Sequence, residues 1–133
     1  MEKKPIRDYR DLIAWQRAMD LAVACERVSG ELPPRAAILA TQIRRAAGSV
    51  HANIAEGNGR FSRPDYVRFL SIANGSVKEL ESHLTFAARA YARTAALDAA
   101  LRLSAEVSRL LTGLFLFHIA YSLTATAPLP RTR

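Results

Sequence analysis

From Tyr66 onward, apolar side chains recur in alternating steps of four and three: Tyr66, Leu70, Ala73, Val77, Leu80, Leu84, Ala87 and Tyr91. A second run does the same through Ala96, Ala100, Leu103, Val107, Leu110, Leu114, Phe117 and Tyr121. Such a heptad seam follows one side of a helix and packs it almost parallel to its neighbour, at about 20°. Two seams of that length fill most of the second half of a 133-residue chain and dictate an all-α fold. Pro and Gly punctuate the remainder at Gly30 to Pro34, at Gly57 to Pro64 and at Pro128 with Pro130, and a further break falls at Arg93 to Ala95. The spacing predicts helices over about 12–29, 34–57, 63–92 and 95–123. The third opens on Ser62 with Asp65 three residues on, a capping-box-like pair. Short connections between long helices make an antiparallel up-down four-helix bundle over 11–124. A basic arm (1–10) precedes it and a Pro-containing tail (125–133) follows.

The apolar residues exceed what that core needs. On the first helix Leu12, Trp15, Ala18, Met19, Leu21, Ala22, Val23, Cys25 and Val28 cover more than half the circumference, whereas one packed face requires a stripe of roughly 100°. Glu26 interrupts that arc and must lie at a wet helix end or be paired. The outer face of the fourth helix begins with Asp98, Arg102, Glu106 and Arg109, a solvated pattern. Beyond Gly113 it turns apolar, at Leu116, Ile119, Ala120 and Leu123. Surplus of this kind marks an interface, and homo-oligomerisation is the economical way to cover it. Gly48 and Gly75, inside helices, are expected to allow close approach of a helix or subunit. One cysteine, Cys25, permits no intramolecular disulfide and fits a reducing cytoplasm. The first residues lack the apolar stretch of a secretory signal. The weakly charged stretch from Leu110 to Leu123 has 14 residues, short of the roughly 20 that span a bilayer, so no membrane partner is expected.

Nineteen Lys plus Arg against twelve Asp plus Glu give a net charge of +7, and sixteen of the cations are Arg. This balance favours acidic partners, RNA or DNA first, although charge alone is a weak pointer in a chain rich in Arg and Ala. The candidate nucleic-acid-binding residues are Arg44, Arg60, Arg63 and Arg68, with Lys3 and Lys4 of the arm. Arg60 and Arg63 flank Phe61, so the loop could grip a backbone and stack one base; alternatively the loop is simply solvated and Phe61 staples the start of the third helix. On the second helix Gln42, Arg45, Ser49, Asn53 and Glu56 form a polar ladder about 80° wide beside the core stripe Leu39, Ile43, Ala46, Val50 and Ile54. The ladder reads either as a ligand site or as a network between helices or subunits, with Glu56 facing Arg45, Arg60 or an Arg of a neighbour. Its other flank is small: Ala37, Thr41, Gly48, Ala52 and Ala55.

Catalysis has little support. His51, His83 and His118 lie far apart, Cys25 sits among apolar residues where a thiol is inert, and Glu79, Glu81 and His83 lack the spacing of a di-iron bundle. Neither a metal nor a cofactor is expected.

The string QIRRAAGSVHANIAEGNGR, with AWQRAMDLA before it and RFLSIANGSVKELESHL after it, resembles the bacterial four-helix-bundle family that includes proteins encoded in intervening sequences of large-subunit ribosomal RNA genes. The resemblance covers roughly Asp8 to Leu114. It implies an up-down bundle assembling as a ring-like homopentamer without known catalysis. One branch, the accessory proteins of diversity-generating retroelements, implies association with a reverse transcriptase and nucleic acid. The family pattern falls on Trp15, Gln42, Arg44, Arg45, Ala46, Ser49, Asn53, Ile54, Ala55, Glu56, Gly57, Arg68, Phe69, Leu70, Ala73, Gly75, Ser76, Glu79 and Leu80. This chain departs from it at His51, commonly Pro, and at Asn74, usually basic.

Overall fold

The computed structural model describes residues 7–125. They form four helices and no strand: α1 Ile13–Glu31, α2 Ala37–Asn58, α3 Arg63–Ala90 and α4 Ala95–Ala125, with single 3-10 turns at Tyr9–Asp11 and Pro34–Ala36. Lys3, Lys4 and the residues from 126 on lie outside the described residues.

The boundaries follow local chemistry. Gly30 stays inside α1, and the helix ends at Leu32, whose backbone is extended (ψ 146°) because Pro33 follows it. Pro34 opens a 3-10 turn, so α2 proper starts at Ala37. Ser62 caps α3 by accepting from the Asp65 amide at 3.3 Å. The reciprocal half of the expected box is replaced by an ion pair of Asp65 with Arg68 at 3.6 Å. Thr94 serves α4 in the same way, accepting from the Leu97 amide at 3.1 Å.

Each helix packs on two neighbours in the closed order α1, α2, α3, α4. Cross-helix pairs fix the directions: Glu26 meets Arg44 and Ser29 meets Ala40; Arg45 meets Glu79 and Ser49 meets Ser76; Arg63 meets His118 and Lys78 meets Ser108. In each helix pair one number falls as the other rises, so successive helices are antiparallel. The core takes Ala18, Leu21, Cys25 and Val28 from α1, Ile43, Val50 and Ile54 from α2, and the α3 seam from Tyr66 to Ala87. Tyr91 alone of that seam is only half-buried.

The α4 seam differs from its expected register. Its buried positions are Leu97, Ala100, Ser104, Val107 and Leu111, while Leu103 and Leu110 are only partly covered. Apolar residues flank both sides of this helix, and Ser104 tolerates burial because its hydroxyl donates to the Leu101 carbonyl at 2.8 Å. Past Leu114, which still packs against the core, the seam leaves the bundle, with Phe117 62% and Tyr121 51% exposed beside exposed Leu116 and Leu123. Consequently an 18-residue window of Ala95–Thr124 is apolar enough to cross a bilayer by length and composition, with only 22% of it buried within the chain. The α1 arc is also incompletely covered: Val23 is exposed and Trp15, Met19 and Ala22 are only partly buried.

The close approach of helices lies at Gly57. A Cβ there would stand 2.6 Å from the Phe69 Cβ and 3.1 Å from the Tyr66 ring, whereas at Gly48 and Gly75 it would meet open space within the chain. The expectation of a helix contact at those two glycines is therefore corrected.

Candidate nucleic-acid interface

The α2–α3 turn, the start of α3 and the end of α4 meet at one end of the bundle, because α4 runs antiparallel to α3 and returns to the level of Arg63. Arg63 donates through Nη1 to His118 Nδ1 at 2.8 Å, and its guanidinium lies 3.7 Å from the Tyr121 ring centroid. Burial and then the charge of Arg63 lower the His118 pKa, which keeps the imidazole neutral and its Nδ1 an acceptor. Among the described residues no carboxylate lies within ion-pair distance of Arg63. Arg60 pairs with Glu56 at 2.8 Å. Its guanidinium and that of Arg68 both lie on the buried Phe69 ring, at 4.7 and 4.6 Å. Between Arg60 and Arg63, Phe61 is fully exposed. The alternative in which Phe61 staples the start of α3 does not fit this exposure, since a stapling ring would be covered. A recess of about 170 Å³ lies beneath it, lined by Arg60, Phe61, Ser62, Arg63, Tyr66 and His118.

The candidate cations thus divide. Arg60, Arg63 and Arg68 gather at this end. Arg44 stands about 20 Å away along α2, where it pairs with Glu26 at 3.3 Å.

The polar ladder turns toward α3. Arg45 forms an ion pair with Glu79, which also lies 3.4 Å from His83 Nε2. Ser49 and Ser76 share a hydrogen bond of 2.8 Å, and Asn53 donates to the Ser49 carbonyl at 2.7 Å and its hydroxyl at 2.9 Å. Glu56 takes Arg60 out of its three candidates. Gln42, half-buried, stands at the ladder's upper end. Arg45, Ser49 and Asn53 therefore edge the α2–α3 seam with a hydrogen-bonded network. Their α3 partners Ser76 and Glu79 are not paired with them in the sequence, where register between helices is not written.

Sequence reading also placed Glu106 on a purely solvated face. It instead accepts from Arg17 Nε at 2.9 Å and Nη2 at 2.8 Å, a fork that ties α1 to α4 and holds the Glu106 carboxyl below its usual range. Arg102 and Arg109 line the adjoining groove.

The geometry defines an antiparallel four-helix bundle with an arginine-aromatic end. Residues 10–113 match the family model of the 23S rRNA-intervening sequence protein, and the chain belongs to that family. Among solved structures it is similar to a protein of unknown function from the S23 ribosomal protein family of Bacteroides thetaiotaomicron VPI-5482, with TM-score 0.71 and 24% identity over 77% of this chain and 95% of that one. That likeness concerns the fold. No curated protein matches the chain.

Proposed function

We propose that this chain is a non-catalytic scaffold that assembles as a homo-oligomer, a pentamer by resemblance to its family, and binds nucleic acid or a nucleoprotein partner such as a reverse transcriptase. The carrying observation is the bundle end at the α2–α3 turn: Arg63, which among the described residues has no carboxylate within ion-pair distance, and a second arginine flank an exposed aromatic ring. Arginine forks reward contact with phosphate through direct hydrogen bonds and counterion release. Assembly draws support from the uncovered apolar end of α4 and the small, uncovered flank of α2. A ring would repeat the arginine-aromatic end around its axis, and repetition raises avidity even where each copy binds weakly.

A salt titration tests the nucleic-acid reading. The full chain binds single-stranded RNA or DNA at low salt, with affinity falling steeply as salt rises. Arg60→Gln with Arg63→Gln weakens binding and reduces the slope of log K against log salt by about 1.4, the share of two phosphate contacts on a single strand. No binding at low salt, or indifference to both substitutions, overturns this reading. The apolar end of α4 favours one second reading, a ring that binds only proteins; co-purification of one protein free of nucleic acid would establish it.

A further inference from the structure

The aromatic rings at this end differ in one respect that bears on what they can hold. Tyr121 carries Arg63 on its face, and Phe69 is buried with Arg60 and Arg68 near its ring. Guanidinium groups stacked this way are pre-oriented while their edges keep N–H donors for phosphate. Among the described residues no guanidinium lies on the Phe61 ring, which is fully exposed. It projects from a short turn between two helices, with Arg60 one residue before it and Arg63 two residues after. A ring presented on a projecting turn can stack on a base only if that base is unpaired, because the faces of bases inside a duplex are occupied by their neighbours.

We propose that the α2–α3 turn is a single-strand-selective site in which Phe61 stacks an unpaired base and Arg60 and Arg63 hold the phosphates on either side of it. This rests on the nucleic-acid reading above and names the form of nucleic acid taken. Stacking is tolerant of base identity, so the site selects strandedness more than sequence. Arg63 keeps its seat on His118 and Tyr121 while its remaining donors face the strand.

The test uses the full chain, fluorescein-labelled oligo-dT and oligo-U, and a mixed-sequence duplex of equal length, at low salt. Single strands bind at least tenfold tighter than the duplex. Phe61→Ala weakens single-strand binding by roughly 5- to 150-fold, the range for loss of one stacked base, with duplex binding unchanged; Phe61→Trp restores it. Because Phe61 touches no core, circular dichroism of both variants matches the parent. Equal affinity for duplex and single strand, or Phe61→Ala indistinguishable from the parent, overturns the inference while leaving nucleic-acid binding intact. Absence of binding to any oligonucleotide overturns both. Phe61-dependent binding to phosphatidylserine vesicles without preference for single strands overturns the inference and assigns the turn to a lipid surface.

Discussion

Gly57 is the position where a single methyl group decides packing. Gly57→Ala forces the α2 backbone away from Phe69 and Tyr66 and is expected to cost about 1–3 kcal/mol, the range for overpacking. Gly75→Ala meets open space and gains up to about 1 kcal/mol of helix propensity; urea midpoints of the two variants move in opposite directions. Nothing in the sequence separates these glycines, because Gly57 near a helix end reads as a stop signal and its contact depends on residues nine and twelve positions away. His118 gives the pH dependence. Its folded pKa lies below the ordinary 6.5, so the folded state binds fewer protons than the unfolded chain between those two values. Its contribution is complete above pH 6.5 and is lost as pH falls through that window. His118→Phe flattens this part of the stability profile while keeping a ring beside Tyr66. Cys25, its thiol pushed up to about 12 by burial and by the Glu26 carboxylate, resists alkylation at pH 8 until the chain unfolds.

At the scale of elements, α3 was legible because its apolar residues form a single stripe with polar flanks. Alternating steps of four and three admit only one register there, and seven of its eight seam positions are buried. In α4 Leu103 and Leu110 compete with Ser104 and Leu111, and composition favours the wrong pair. The packing settles it: Leu111→Ala costs about 2–5 kcal/mol, as for a buried leucine, and Leu103→Ala markedly less, read from denaturant midpoints. The ladder's residue types were visible in the sequence but its function as an α2–α3 seam was not, since it needs Ser76 and Glu79 brought across from another helix. Its ion pair is half-exposed. A double-mutant cycle on Arg45 and Glu79 is expected to return a coupling below about 1 kcal/mol.

At the scale of the whole molecule, the bundle closes its core with α1 to α4, yet among the described residues the side chains of Leu116, Phe117 and Tyr121 toward the end of α4 stay exposed. Leu116, Phe117, Ile119 and Leu123 lie beyond the reach of α1, which starts at Ile13 and meets α4 as far back as Glu106. The sequence showed this surplus as an apolar turn of the α4 face after Gly113, because periodicity registers an unpartnered face as readily as a packed one. What would cover this face in an assembly lies outside any single chain's pattern. In the assembly proposed above, covering it with further copies would gather the Arg60, Phe61 and Arg63 ends into one multivalent surface, and this proposed coupling of assembly to binding is the central claim. Light-scattering mass across a concentration series tests it most directly. The account predicts a species of about five times the 14.7 kDa chain mass, reduced toward the monomer by Leu116→Glu with Leu123→Glu. A 14.7 kDa monomer at every concentration, or an oligomer indifferent to those substitutions, would contradict it.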